Sequence, residues 1–448
     1  MWLFFTTASV ASFNIVRAQP KQKISDKIKT AEAISKFNDE TDIFKFFKEN
    51  KKKKYLTVAP SELEKLTDEQ FLERIQYDYT KLCLETKDSI VTVEVDGYII
   101  NLLPVAAKNG WVDRNVAAKE VLQYLTEFNN AKTKHGFFPR SFNRKTGEKA
   151  SVDYWTFGKP YDVYGTAVIA ASLKYFISNY FNRHNETENK IRSLCKIIND
   201  KIDWNFAYNE ARRCFTWFKN GENAEVFDGK DLLGIWDETF FIQLVALSDT
   251  KWKHSLEAYN NFVSKLQVDT MYGYRFYPTP QTGYAAQTFI WFDLRNYKDS
   301  VCIKNNLNYF ESIRNAVLMQ IAYTKANPKQ YLHYGKMWGI GEIQNDKGDI
   351  QLEEVFSSLT FEPDSAIKCL RNIYTTFKSK GIYSKEGMHG RVNVLSGEIE
   401  PLGKNTSWFS FYLPLNVLYI ENYRSGLLWK LSQSTPGYIK AFHKAGLN

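Results

Sequence analysis

The apolar residues of this chain recur at helical spacing in one segment after another. Ala117, Ala118, Val121, Leu122, Leu125 and Phe128 share one helical face, and Asp113 stands where a helix cap belongs. Residues 186–202 are amphipathic in the same way and close on Asp203-Trp204. Two segments differ: residues 163–181, headed by Asp162, and residues 232–247 are apolar almost throughout. Both should be helices buried on most faces. In the second, Trp236-Asp237-Glu238 sets two acids at the head of the apolar run. A carboxylate there is costly unless it caps the helix, is paired, or does chemistry.

Further helices are expected over 61–84, 252–266, 287–294, 306–326, 364–378, 407–421 and 425–432. Ser61 with Glu64 reads as a capping-box start for the first of these. Residues 89–103 suit a strand by their β-branched content and a buried helix by their apolar continuity. Residues 135–148 and 270–284 are turn-rich, and Gly335, Gly339, Gly341 and Gly348 break all periodicity in a long loop over 331–349. Helical hairpins with loops of unequal length and few strand signals make a large all-α domain. Arranged in a ring, such hairpins give a toroid whose long loops form a cleft at one end.

Composition narrows the function classes. The net charge of +9 is diffuse, and the one dense run, Lys51-Lys52-Lys53-Lys54, reads as a solvated face, so no nucleic-acid partner is expected. Aromatic residues make up 16%, a loading that suits sugar stacking as well as an ordinary large core. Residues 1–18 resemble a secretory signal, 19–60 a charged leader with a helical stretch at 35–48, and 61–448 one domain. No later segment reads as membrane-spanning, and a secreted or periplasmic monomer, possible at the outer envelope, is expected. Five scattered cysteines without a C-x-x-C pair read as buried apolar residues. The histidines form no ligand pattern, and phosphate fingerprints and nucleophile elbows are missing, so neither metal nor cofactor is expected.

Several stretches then line up in order. They are Asn109-Gly110-Trp111-Val112-Asp113-Arg114, His135-Gly136-Phe137-Phe138-Pro139 with Thr146-Gly147, Ile202-Asp203-Trp204, and Trp236-Asp237-Glu238. Trp291-Phe292-Asp293-Leu294-Arg295, Ala326-Asn327-Pro328, Trp338-Gly339 and Phe361-Glu362-Pro363 follow, and Ile420-Glu421-Asn422-Tyr423-Arg424-Ser425-Gly426-Leu427-Leu428-Trp429 completes the set. From about residue 77 to 446 the chain resembles the glucoamylase-like domain family, which includes the glycoside hydrolase family 144 β-1,2-glucanases. The resemblance implies an (α/α)6 toroid acting on a β-linked glucan or related oligosaccharide, with Glu238 on the family's acid position. The chain also departs from the family. The acid-rich run at the second long helix is here Pro160-Tyr161-Asp162-Val163-Tyr164-Gly165-Thr166, and a family acidic motif near 338–345 ends in Gln344-Asn345. Tyr412-Leu413-Pro414-Leu415 stands in place of the family's aspartate-containing D-Q-G-P.

Glycoside hydrolysis needs an acid for the leaving oxygen and, in most families, a second carboxylate. Glu238 is the expected acid. Asp162, Glu342 and Glu386 are the expected partners, against the plainer readings of a helix cap for Asp162 and solvated loop acids for the other two. Trp155, Trp217, Trp236, Trp291 and Trp338 suit sugar stacking or core packing equally. Asp293 and Arg295 suit substrate binding or a structural ion pair, and Glu421 with Arg424 a helix–helix corner. Two functions follow: a secreted β-glucan hydrolase, or a catalytically degenerate glycan-binding relative.

Overall fold

A computed structural model describes residues 47, 53–150, 161–216, 218–219, 236–249, 252, 254–279, 281–400 and 407–447. The segment read as a signal, the leader apart from residues 47 and 53–60, Trp155, Trp217 and residues 232–235 lie outside them. In the described residues helices alternate between two roles. Val163–Ala171 and Thr239–Leu247 are buried at every position, as their unbroken apolar content requires. Glu186–Asp200 buries only Glu188, Ile191, Cys195 and Ile198, one stripe at a spacing of three to four.

The fully buried helices form an inner circle. Val93–Ile99 packs on Val163–Ala171, which packs on Thr239–Leu247. Phe241 of that helix stacks on Trp291 of Thr288–Trp291, with ring centroids 4.9 Å apart. Thr282–Ala286, just before it, packs on Leu352–Ser357, which packs on Ser407–Ser425. Ser407–Ser425 returns to Val93–Ile99 and closes the ring. The amphipathic helices lie outside: Asp68–Glu85 on Ser407–Ser425, Ser255–Ser264 on Thr239–Leu247, Tyr309–Ala326 on Thr282–Ala286, and Pro363–Phe377 on Leu352–Ser357. The fold is the expected all-α toroid. No described helix is long and apolar enough to cross a membrane.

Local chemistry sets the boundaries. The Asp113 carboxylate accepts the Asn115 N–H at 2.7 Å and starts Arg114–Asn130, as read from the sequence. The first long helix is corrected. Residues 60–65 form a separate 3-10 turn started by Pro60, and the capping box is Thr67 with Gln70, heading Asp68–Glu85. Residues 89–103 satisfy both readings: Ile90–Thr92 pairs with Ser141–Asn143, and helices Val93–Ile99 and Leu102–Lys108 follow. Leu352–Ser357 was not expected from the sequence. Gly136 and Gly147 explain two family marks. Both have positive φ, and a Cβ would meet the Lys201 carbonyl oxygen at 2.2 Å from Gly136 and the Asn130 carbonyl oxygen at 2.2 Å from Gly147. The five cysteines are free and buried, as expected.

Candidate active site

The heads of the inner helices carry the acids. Glu94 opens Val93–Ile99, Asp162 caps Val163–Ala171, Glu238 precedes Thr239–Leu247, and Glu353 and Glu354 open Leu352–Ser357. Asp237 and Glu238 divide their work. Asp237 is buried and accepts both the Thr239 N–H at 2.9 Å and the Thr239 hydroxyl at 2.5 Å. It does the capping. Glu238 is half-buried, and its carboxyl is met only by its own backbone N–H among the described residues. Desolvation raises its pKa well above the usual carboxylate range, and the charges of Asp237 and Glu94 push it further up. A helix N-terminus pulls the other way, by only about 0.3–1 kcal/mol, less than one pKa unit. Burial wins, and it favours the protonated form of Glu238.

Two tyrosines near enough to feel the Glu238 charge, Tyr98 and Tyr164, form a polar network. The Tyr98 and Tyr164 hydroxyls are 2.6 Å apart, and both donate to Gln287 Oε1. Tyr98 stacks on Trp291 at 5.5 Å. Tyr284, which also feels the Glu238 charge, approaches the Tyr412 hydroxyl at 3.4 Å. Such a network holds side-chain directions because each hydroxyl has a partner.

The second acid pair was missed by sequence reasoning. Glu354 is buried and accepts the Thr282 N–H at 3.1 Å, the Gly283 N–H at 3.1 Å and Gln320 Nε2 at 3.3 Å. Burial raises its pKa to about 7. Glu353 is half-buried, and burial first, then Glu354 and Glu400, push its pKa up to about 8, while Arg391 draws it down. The available signal was the Glu353-Glu354 pair before Val355-Phe356, the same acid-pair-then-apolar pattern as Asp237-Glu238 before Thr239-Phe240.

Several expected site residues lie elsewhere. Asp162 is fully buried; one carboxylate oxygen accepts the Gly165 N–H at 2.7 Å and the other accepts Arg140 Nη1 at 2.9 Å. It is a cap paired to a guanidinium, closed to substrate, and is no longer a candidate base. Arg140 also holds Glu94, at 2.6 Å. Glu342 accepts the Asn345 side-chain amide at 2.6 Å within its loop, and Glu386 sits at a hairpin turn beside Ser384. The acids that raise Glu238 are Asp237 and Glu94, and neither loop acid is among them. Trp236 and Trp291 have no exposed surface and Trp338 only 4%, which leaves no ring face for a sugar. Trp236 instead stacks on Tyr309 at 4.7 Å. Asp293 and Arg295 form a two-point ion pair at 2.7 and 2.6 Å past the C-terminal end of Thr288–Trp291, away from the helix heads. Glu421 and Arg424 form the expected corner: Glu421 accepts from Lys108, Asn109 and Gln76, and Arg424 pairs with Glu73 at 2.6 Å. Among the described residues no group of histidine, cysteine and acid side chains is placed to hold a metal.

Residues 232–436 match the Glycoamylase family model, described as "Putative glucoamylase". Over that segment the chain is similar to the glucoamylase-like family. It is 23% identical over 439 residues to an exo-β-1,2-glucooligosaccharide sophorohydrolase (non-reducing end) of Parabacteroides distasonis, covering 85% of this chain and 58% of that protein. The chain thus spans less than two thirds of that relative's length. Its fold matches a β-1,2-glucanase structure from Parabacteroides distasonis with a TM-score of 0.76 at 20% identity, over 85% of this chain and 60% of the other. It matches the endo-β-1,2-glucanase of Chitinophaga pinensis, solved with sophorotriose and glucose, with a TM-score of 0.73 at 18% identity, over 86% and 99%. At these identities the structures establish the shared helical toroid.

Proposed function

We propose that this chain is a secreted or periplasmic glycoside hydrolase that cleaves a β-linked glucan or related oligosaccharide, with Glu238 as the general acid. β-1,2-Glucan is the first substrate to try, since the sequence relative is a sophorohydrolase and the fold relatives are β-1,2-glucanases. Residues 1–18 support the localisation. One observation carries the reading: a half-buried carboxyl heads an inner helix, is pushed toward its protonated form by burial, and has no side-chain partner among the described residues. A proton in that state is available to a leaving glycosidic oxygen.

A glycan-binding relative without turnover is the second reading. It draws on Tyr412, which places a phenol where the family resemblance has an aspartate. The test is product release from a panel of β-glucans and sophoro-oligosaccharides by the full chain and by Glu238→Gln. Turnover that falls about 10²–10⁴-fold in the variant supports the hydrolase. Unchanged turnover in Glu238→Gln rules out the assignment of the acid. Calorimetric binding of oligosaccharide by the native chain without any product supports the second reading.

A further inference from the structure

We propose that Glu353 is the second carboxylate of the cleft, the base that takes a proton from the attacking water. This rests on the hydrolase reading and names a residue that the family resemblance does not supply. The first observation is a repeated arrangement. Two inner helices begin with an acid pair, and in each pair one acid is fully engaged in structure. Asp237 is held by Thr239, and Glu354 by Thr282, Gly283 and Gln320. The other member, Glu238 or Glu353, is half-buried and touched only by its own backbone N–H among the described residues. Because Glu354 ties the head of Leu352–Ser357 to the head of Thr282–Ala286, the backbone that presents Glu353 is held in place.

The second observation is a tyrosine pair close enough to both acids to feel their charges. Tyr284 feels the charges of both Glu238 and Glu353, and its hydroxyl approaches that of Tyr412. Tyr412 in turn feels Glu353. Ser407–Ser425, which carries Tyr412, packs directly on Leu352–Ser357. The carboxylate that position 412 lacks is therefore supplied from the neighbouring inner helix. The other acids nearby are engaged: Glu94 and Asp162 by Arg140, and Glu400 by Arg391 at 3.0 Å.

The step balances as a single displacement. Glu353, ionised as the pH rises through its raised value of about 8, takes one proton from water as the water oxygen bonds to the anomeric carbon. The glycosidic C–O bond breaks, its electron pair stays on the leaving oxygen, and that oxygen takes the Glu238 proton. One water is consumed, and proton exchange with solvent returns Glu353 to carboxylate and Glu238 to acid. Attack by water from the face opposite the leaving group turns a β-linkage into an α-anomeric product. The groups that set the Glu353 titration are Glu354, Glu400 and Arg391, with Tyr284, Tyr412 and Tyr79 also facing it.

The experiment compares the full chain with Glu353→Gln and Glu353→Ala on the substrate that the native chain turns over. In Glu353→Gln, kcat is expected to fall about 10²–10⁴-fold with KM changed far less, and the acidic limb of the pH–rate profile to disappear. Azide is expected to restore turnover in Glu353→Ala on an activated β-glycoside and to yield an α-glycosyl azide. Native product, followed by NMR, is expected to appear first as the α-anomer. Thermal melting by circular dichroism of Glu353→Gln at about pH 5, where Glu353 is protonated in the native chain, should match the native chain, which separates chemistry from folding. Retention of more than about a tenth of kcat with an unaltered pH profile overturns the assignment, as does a β-anomeric first product. A native chain that is inactive on every glycan overturns the hydrolase reading and this inference with it, whereas an active native chain with an active Glu353→Gln overturns this inference alone.

Discussion

At the scale of single residues, neighbouring acids with the same chemistry take opposite duties because of where their oxygens point. Asp162 and Glu238 both head fully buried helices, yet Asp162 is closed in by Gly165 and Arg140 while Glu238 remains half-open. Asp162→Ala should therefore remove a cap and leave the Arg140 charge short of a partner. The expected loss is about 3–5 kcal/mol of unfolding free energy, read from urea denaturation. The division of Asp237 from Glu238 followed from the family resemblance, which sets Glu238 on the acid position and leaves Asp237 to cap the helix. The tryptophans were not readable in the sequence. Composition cannot tell a ring that stacks on sugar from one that stacks on Tyr309, because both are apolar faces seeking a flat partner.

At the scale of elements, long helices with periodic faces were found from the sequence, and short ones were not. Leu352–Ser357 spans barely two turns and follows a glycine-broken loop and a strand, Asp349–Gln351, paired with Arg391–Asn393. So short a run gives too few residues for a helical period to register. That is why Glu353 and Glu354 escaped notice while Glu238, on a longer apolar run, did not. Turns were read by their glycines, and the structure gives the reason. Gly136 combines positive φ with the Lys201 carbonyl at contact distance, so Gly136→Ala must move the backbone that joins two outer helices. Its cost is expected to be at least about 2 kcal/mol, measured as a lowered melting temperature. The misplaced first capping box has a similar lesson. Ser61 and Glu64 have the right spacing, but Pro60 starts a 3-10 turn there and Thr67 with Gln70 makes the bonds.

At the scale of the whole molecule, the ring gathers several carboxyls at the heads of its inner helices, and this couples proton binding to stability. Glu353 near 8, Glu354 near 7 and Asp237 near 6 all sit above their ordinary values, with Glu238 raised as well. A raised carboxyl pKa means that the folded chain binds more protons than the unfolded one between the two values. Stability then falls as pH rises from about 5 to about 8. The melting temperature should drop across that window, and Glu353→Gln should flatten the slope. Acids with lowered values, such as Glu73 and Glu188, act in the opposite sense only near and below their ordinary range, so they do not mask the effect.

The sequence by itself determined the helical class, the alternation of buried and amphipathic segments, most long helices, the Asp113 cap, the buried free cysteines and the placement of Glu238 at a buried helix head. These follow from local spacing and from the cost of leaving apolar faces or polar groups unsatisfied, which act over one or two helical turns. Only the tertiary structure decided which acids are engaged and which are open. Arg140 reaches Asp162 across 22 residues, Glu354 reaches Thr282 across 72, and Tyr412 reaches Tyr284 across 128. Such contacts depend on ring closure rather than on chain neighbours, and the duty of each carboxyl is set by them.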